Sequence, residues 1–132
     1  MSARTAQYLI ASVFLLLGAW ALLFPRSVIE LAVTPEYRDT SFLALFALAC
    51  FGAQACIFGL MSLVVRYTSR GFLAFAIILV PFFVFDWYFH SVVPVLNSIG
   101  MLDLVGNLVM FGLAIYGWKQ AKAEEAGAWT NR

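Results

Sequence analysis

Charged side chains are scarce in this sequence of 132 residues: Asp, Glu, Lys and Arg make up 11% of it, and the net charge is +1. Soluble domains carry about 25% charged residues, so this chain has too little polar surface to cover a water-soluble globule. A basic face for nucleic acid is also missing, because the eight Lys and Arg are spread along the chain. The hydrophobic content of 64% instead favours a protein whose outer surface contacts lipid.

Cysteine and histidine are almost absent. Cys50 and Cys56 lie in one apolar run, where a helix would separate them by about 9 Å along its axis, too far for a disulfide. His90 is the single histidine, and no metal-binding, nucleotide-binding or catalytic motif occurs. The sequence therefore predicts no metal, no cofactor and no catalytic residue, while the question of an enzyme stays open.

Long uncharged segments dominate what is there. A helix needs about 20 mostly apolar residues to cross the hydrocarbon of a bilayer, and backbone groups in lipid must be satisfied within their own segment. Four segments meet this need, at about 6–24, 41–65, 71–90 and 101–118. The sequence predicts an all-α, integral membrane four-helix bundle that forms one domain over 1–132, with a charged tail at 119–132.

The distribution of Lys and Arg predicts the orientation. The two chain ends and the connection between spans two and three would share one side, and this side holds six of the eight basic residues: Arg4, Arg66, Arg70, Lys119, Lys122 and Arg132. The positive-inside rule places that side in the cytoplasm. We expect a multi-pass protein of the cell membrane with both termini cytoplasmic, and short connections favour a bacterial inner membrane.

The connection between spans one and two carries helix signals of its own. Ser27 and Glu30 fit a capping box, which predicts a short interfacial helix through Val33. Thr34 and Pro35 then resemble an N-cap and a first helical position, so we expect the second helix to begin near Pro35. The charged tail is expected to remain helical through about residue 126 before a glycine ends it.

Small side chains form a stripe on the second span. Ala49, Gly52, Cys56 and Gly59 are spaced three, four and three residues apart, so they share a helix face. Because helices in lipid gain most from close backbone contact, this stripe predicts that the second span lies at the centre of the bundle. Gln54, near the middle of the same span, would form a hydrogen bond across the core or contribute to a site.

Four polar residues are expected to converge at the outer end of the bundle, the end away from the termini. Asp86 and His90 share a face near the end of span three, and Asp103 and Asn107 share one at the start of span four. Ionisable residues in spans often mark proton or ligand sites, and an Asp–His pair can relay protons. The alternative is structural: the acids contact water or stabilise a helix start, and the amide bridges two helices.

Two stretches resemble a known family. The sequence GAWALLFP at 18–25 and the small-residue stretch ACFGA at 49–53 are similar to those of small bacterial four-helix membrane proteins of the DoxX-like type. This resemblance implies the same four-span layout. Some members of that group are described as subunits linked to quinone-dependent oxidases, and the resemblance transfers no site residue to this chain.

Three functions fit these observations. The leading hypothesis is a non-enzymatic accessory or scaffold subunit, whose partners are the lipid bilayer and other membrane proteins or a second copy, and not nucleic acid. The second is an oligomeric carrier of small ligands, or a proton-coupled one, that uses Asp86, His90, Asp103 and Asn107. The third is a lipid-facing or quinone-facing redox enzyme, or a lipid-facing isomerase, that uses the same cluster and its Asp–His pair.

Overall fold

The computed structural model describes residues 1–130, and the side chains of residues 1–128. Within this range the chain is helical and has no strand, which confirms the predicted all-α class. Its helices are α1 (Ala3–Leu23), α2 (Pro25–Ala32), α3 (Phe42–Val64), α4 (Ser69–Trp87) and α5 (Leu102–Thr130), with a 3-10 turn at Pro35–Tyr37 and a π-helical turn at Tyr88–Val92.

Three helices are long and apolar enough to cross a membrane: Ala3–Leu23, Phe42–Val64 and Ser69–Val92, the last combining α4 with the π-helical turn. This finding supports a membrane protein. The fourth predicted span, 101–118, coincides with the first part of α5 except for its first residue. Asp103, Asn107 and the charged second half of this helix lower its mean hydropathy. The fourth crossing therefore stays a prediction.

The centre of the molecule is α1, and not α3 as the small-residue stripe suggested. α1 packs against α3 on one side and against α5 on the other, and α5 in turn packs against α4. α3 is the least buried of the three candidate spans. The expectation of a central second span was wrong because its small residues serve one close contact, with α1.

That contact brings two helix backbones together. A Cβ atom added at Gly52 of α3 would lie 2.7 Å from the carbonyl oxygen of Gly18 in α1, and one added at Gly59 would lie 2.8 Å from Cγ of Leu15. Cys56 lies between them, with its Sγ 3.0 Å from the position of a Cβ at Gly18. Glycine is needed here for space, since any side chain would separate the helices.

The segment between α1 and α3 differs from its prediction in two respects. Ser27 and Glu30 do not form a capping box: the Ser27 hydroxyl accepts from the Trp20 indole N–H at 2.8 Å, and Glu30 pairs with Arg26 at 3.0 Å. The next long helix begins at Phe42 rather than near Pro35, because Ser41 supplies its N-cap and accepts from the N–H of Ala44 at 3.3 Å.

The predicted charged tail, 119–132, belongs to α5 as far as Thr130, and its last two residues, Asn131 and Arg132, lie outside the described part of the chain. The helix continues through Gly127 to Thr130, so this glycine does not end it. Glu125 accepts hydrogen bonds from the backbone N–H of Ser69 at 2.8 Å and from its hydroxyl at 2.7 Å, and Arg66 pairs with Glu124 at 3.1 Å. The extension thus contacts the start of α4 and the connection before it.

The two remaining connections meet at the opposite end of the molecule. The N–H of Thr34 donates to the carbonyl of Val95 at 2.8 Å, and the N–H of Asn97 donates to that of Ala32 at 3.1 Å. The side chain of Asn97 also donates to the Leu31 carbonyl at 2.8 Å. The segments after α1 and after α4 therefore lie together, away from the start of α1 and the second half of α5.

Candidate functional site

A buried polar group joins α4 to α5 near the end where these connections meet. The side-chain amide of Asn107 donates to Oδ2 of Asp86 at 3.1 Å and to Oδ2 of Asp103 at 3.3 Å. Asp86 is fully buried, Asn107 is 4% exposed and Asp103 is exposed. Three of the four residues that we expected to converge are therefore in contact; we call them the acid–amide group.

This group has no basic partner among the described residues. Neither Asp86 nor Asp103 forms a salt bridge there, and Oδ1 of Asp86 is buried without a hydrogen bond from that part of the chain. The two carboxyl groups lie close together, because the Asn107 amide donates to both. A buried acid beside a second acid is costly unless a proton or a cation offsets the charge.

His90 does not belong to the acid–amide group. The chain leaves the α-helical path after Trp87 and forms a π-helical turn. The Nδ1 atom of His90 lies 3.0 Å from the carbonyl oxygen of Leu96, in the connection to α5. The proposed Asp86–His90 proton relay therefore has no hydrogen bond to support it, and the histidine instead helps to hold that connection.

A cavity of about 480 Å³ adjoins the acid–amide group. It lies among α1, α3, α4 and α5, and its lining is apolar except for Gln54, Asp103 and Asn107. Pockets for small ligands measure about 300–1,000 Å³ and combine apolar walls with a few polar groups. The cavity therefore has the size and lining of a small-molecule site.

The cavity opens between α3 and α4. Among the described residues, these helices contact each other little beyond the rings of Phe58 and Phe75, whose centroids lie 5.8 Å apart. Phe14 of α1 packs on both rings, with centroids at 4.8 and 6.0 Å. Ile78 is 61% exposed although it lines the cavity, so the opening faces the region that lipid would occupy.

The small-residue stripe and Gln54 lie on different sides of α3. Gly52 and Gly59 are buried against α1, Cys56 and Ala49 are half-buried, and Gln54 is exposed and lines the cavity. Gln54 is thus placed at the cavity rather than in a contact between helices.

Sequence reasoning missed a second polar cluster, at the end of α3. The amide of Gln7 donates to the carbonyls of Ser62 and Val65, and its oxygen accepts from the N–H of Tyr67 at 3.0 Å. Arg4 also donates to the Val65 carbonyl, at 2.7 Å. These bonds satisfy carbonyls that a helix end leaves free, so the cluster is structural. The sequence feature that could have indicated this cluster is Arg4 and Gln7, two long polar side chains three residues apart at the start of an apolar helix.

The described residues hold no group of three or more His, Cys, Asp or Glu side chains that could ligate a metal ion. No family model matches the chain, and it has no significant match among curated proteins or solved structures. The DoxX-like resemblance therefore stays a prediction.

Proposed function

We propose that this chain is a four-span membrane protein, with both termini in the cytoplasm, that binds an apolar or amphiphilic small molecule taken up from the bilayer. The observation that carries the proposal is the apolar cavity of about 480 Å³, which opens between α3 and α4 and has three polar side chains in its lining.

The positions of the chain ends support the four-span arrangement. Arg4 near the start of α1 contacts the end of α3, and Glu125 near the end of α5 contacts the start of α4. Successive long helices then run in opposite directions, and the first 17 residues of α5 lie beside the other spans before the charged extension begins. The excess of Lys and Arg at this end supports a cytoplasmic location.

A labelling experiment tests the orientation. Glu36→Cys and Ala123→Cys introduce thiols at exposed positions at opposite ends of the molecule, in a background where Cys50 and Cys56 are replaced by Ala. We expect a membrane-impermeant maleimide to label the thiol at position 36 in intact cells and the one at 123 only after permeabilisation. Labelling of both in intact cells, or the reverse pattern, would contradict the orientation.

The other hypotheses have less support from the geometry. The accessory-subunit hypothesis depended on short connections, on the lack of a soluble domain in the predicted layout and on small-residue helix faces. Of those faces, Gly18, Gly52 and Gly59 are occupied by the contact between α1 and α3. The redox hypothesis depended on an Asp86–His90 pair, and the carrier hypothesis on that pair with Asp103 and Asn107. His90 bonds the Leu96 backbone instead and lies outside the acid–amide group. Both alternatives remain open as predictions.

Two adjacent leucines of α1 provide a matched test of the cavity. Leu17 lines it, whereas Leu16 is 72% exposed and lies outside the lining. In nanodiscs, we expect the protein to bind tritiated dodecanol saturably, as measured by scintillation proximity. Leu17→Trp should fill the cavity and weaken this binding about tenfold, which corresponds to 1.4 kcal/mol, and Leu16→Trp should leave it unchanged.

Two outcomes would overturn the proposal. One is the absence of saturable binding above the signal of empty nanodiscs. The other is equal binding by Leu17→Trp and Leu16→Trp, which would place the alcohol on the lipid-facing surface rather than in the cavity.

A further inference from the structure

The lining of the cavity is asymmetric in charge. Among the described residues, Asp103 is the one ionisable side chain of the lining, and the other polar members, Gln54 and Asn107, are neutral amides. Behind Asn107 lies Asp86, which is fully buried and contributes a second acid. α1 and α3 contribute no charged side chain to the lining, so negative charge is concentrated at the end of the cavity where α4 and α5 meet.

The hydrogen bonds leave this charge incompletely compensated. The Asn107 amide provides both of the bonds that join the acid–amide group, and Oδ1 of Asp86 receives none from the described residues. Because Asn107 donates to both carboxyl groups, Asp86 and Asp103 lie close together, and no basic side chain of the described residues offsets their charge. A ligand with a positive charge beside Asp103 would offset it.

The apolar walls of the cavity indicate the chemistry of the uncharged part of the ligand. Phenyl rings line it on three helices, from Phe14 and Phe58 to Phe82. Such rings and aliphatic side chains suit an alkyl or aryl tail, and aromatic faces attract quaternary ammonium groups. A hydrated metal ion suits this lining poorly, and the described residues hold no cluster of three metal ligands.

We propose that the cavity selects an organic cation, an inference that rests on the proposed function. The ammonium group of this ligand would lie beside Asp103, and its apolar tail would lie between α3 and α4. Asp86, which lies on the far side of Asn107 from the cavity, strengthens the negative potential there. Asn107 holds the two carboxyl groups in place by its hydrogen bonds. The ligand enters sideways from the bilayer, with its charged end toward the end of the bundle where α4 and α5 meet.

The experiment compares two ligands with the same tail. Tritiated dodecyltrimethylammonium and tritiated dodecanol are titrated into the full chain in phosphatidylcholine nanodiscs, which carry no net charge and so do not concentrate the cation. We expect the protein to bind the ammonium compound about tenfold more tightly than the alcohol, after subtraction of the signal from empty nanodiscs.

Substitutions locate the charge that is responsible. Asp103→Asn keeps the shape of the side chain and should remove the preference for the cation, while dodecanol binding remains and shows that the variant is folded. Asp39→Asn is the matched control, since Asp39 is an exposed acid outside the cavity that accepts from the N–H of Ser41. It should keep the full preference.

Each outcome separates the inference from the proposed function. If neither compound binds saturably, or if Leu17→Trp affects neither, the proposed function fails. If dodecanol binds in the cavity but the ammonium compound binds no more tightly, or if Asp103→Asn keeps the preference, only the inference fails. The acids would then serve, through their hydrogen bonds with Asn107, to hold α4 against α5.

Discussion

The side-chain oxygen of Gln7 accepts a hydrogen bond of 3.0 Å from the backbone N–H of Tyr67, 60 positions later in the chain. The amide of the same side chain donates to the carbonyls of Ser62 and Val65, and Gln7 is only 1% exposed. One residue of α1 thus satisfies backbone groups on both sides of the turn from α3 to α4. The bond to Ser62 is buried, so an apolar side chain in place of Gln7 would leave that carbonyl without a partner from α1.

Replacing Gln7 by Leu should therefore destabilise the protein. The change keeps the side chain close to its size but leaves a buried N–H and a carbonyl without partners, which costs about 1–3 kcal/mol per group. Unfolding in dodecyl sulfate, followed by tryptophan fluorescence, measures the loss. Gln54→Leu is the control, because Gln54 is exposed at the cavity; equal stability of the two variants would refute the structural role of Gln7.

The contact between α1 and α3 predicts a large effect of a small change. Gly52→Ala would push a methyl group against the carbonyl of Gly18 and should cost about 1–3 kcal/mol, as overpacking does in well-packed interiors. Gly112→Ala is the matched control, since a Cβ there meets nothing within 4 Å. That variant should be neutral or up to about 1 kcal/mol more stable, because Ala favours helices over Gly. The same unfolding assay distinguishes them, and a neutral Gly52→Ala would contradict the close contact.

The packing of α3 against α1 was predictable only in part. The spacing of Gly52, Cys56 and Gly59 identifies a helix face by itself, because helical periodicity is local. It does not identify the helix that lies against that face, because small residues occur in α1, such as Gly18, and equally in α5, such as Gly106 and Gly112. The central position of α1 follows from which helices contact it, and this depends on the whole arrangement of the chain.

The candidate site was partly predictable, because contacts within one helix follow from residue spacing whereas contacts between helices do not. Asp103 and Asn107 are one turn apart on one helix, and the short connection before α5 brings Asp86 near them. The position of His90 was not predictable, because a π-helical turn moves it off the helix face that it would share with Asp86. The connection after that turn is held by backbone hydrogen bonds to Ala32 and Phe89, which no local pattern indicates. The cavity could not be predicted from the sequence, because it is an empty space between four helices and depends on how they pack.

The contact between Asn107 and Asp86 can be measured by a double-mutant cycle. Asn107→Leu removes the one amide that bonds the buried Asp86 carboxyl group, and should cost about 1–3 kcal/mol. Adding Asp86→Leu removes the unpaired acid as well, so we expect the double variant to recover most of the lost stability, since two apolar partners can replace a buried polar pair. Additive losses would show that the two residues act independently.

Glu125 makes a contribution that depends on pH. Hydrogen bonds from the hydroxyl and the N–H of Ser69 hold the pKa of this carboxyl group below its ordinary value, and a carboxylate at the start of α4 also suits the helix dipole. Because the folded state binds this proton more weakly than the unfolded state, the ionised group stabilises the protein at neutral pH. That stabilisation is lost as the pH falls through the ordinary glutamate range and below the lowered pKa.

Glu125→Gln should therefore lower the unfolding midpoint slightly at pH 7, and the difference from the unchanged protein should shrink as the solution becomes acidic. The effect is small because the carboxylate is exposed and screened by water. Glu36→Gln, at an exposed acid in the connection before α3, controls for the general loss of a negative charge. A difference that stays constant from neutral to acidic pH would mean that the hydrogen bonds to Ser69 do not favour the ionised form.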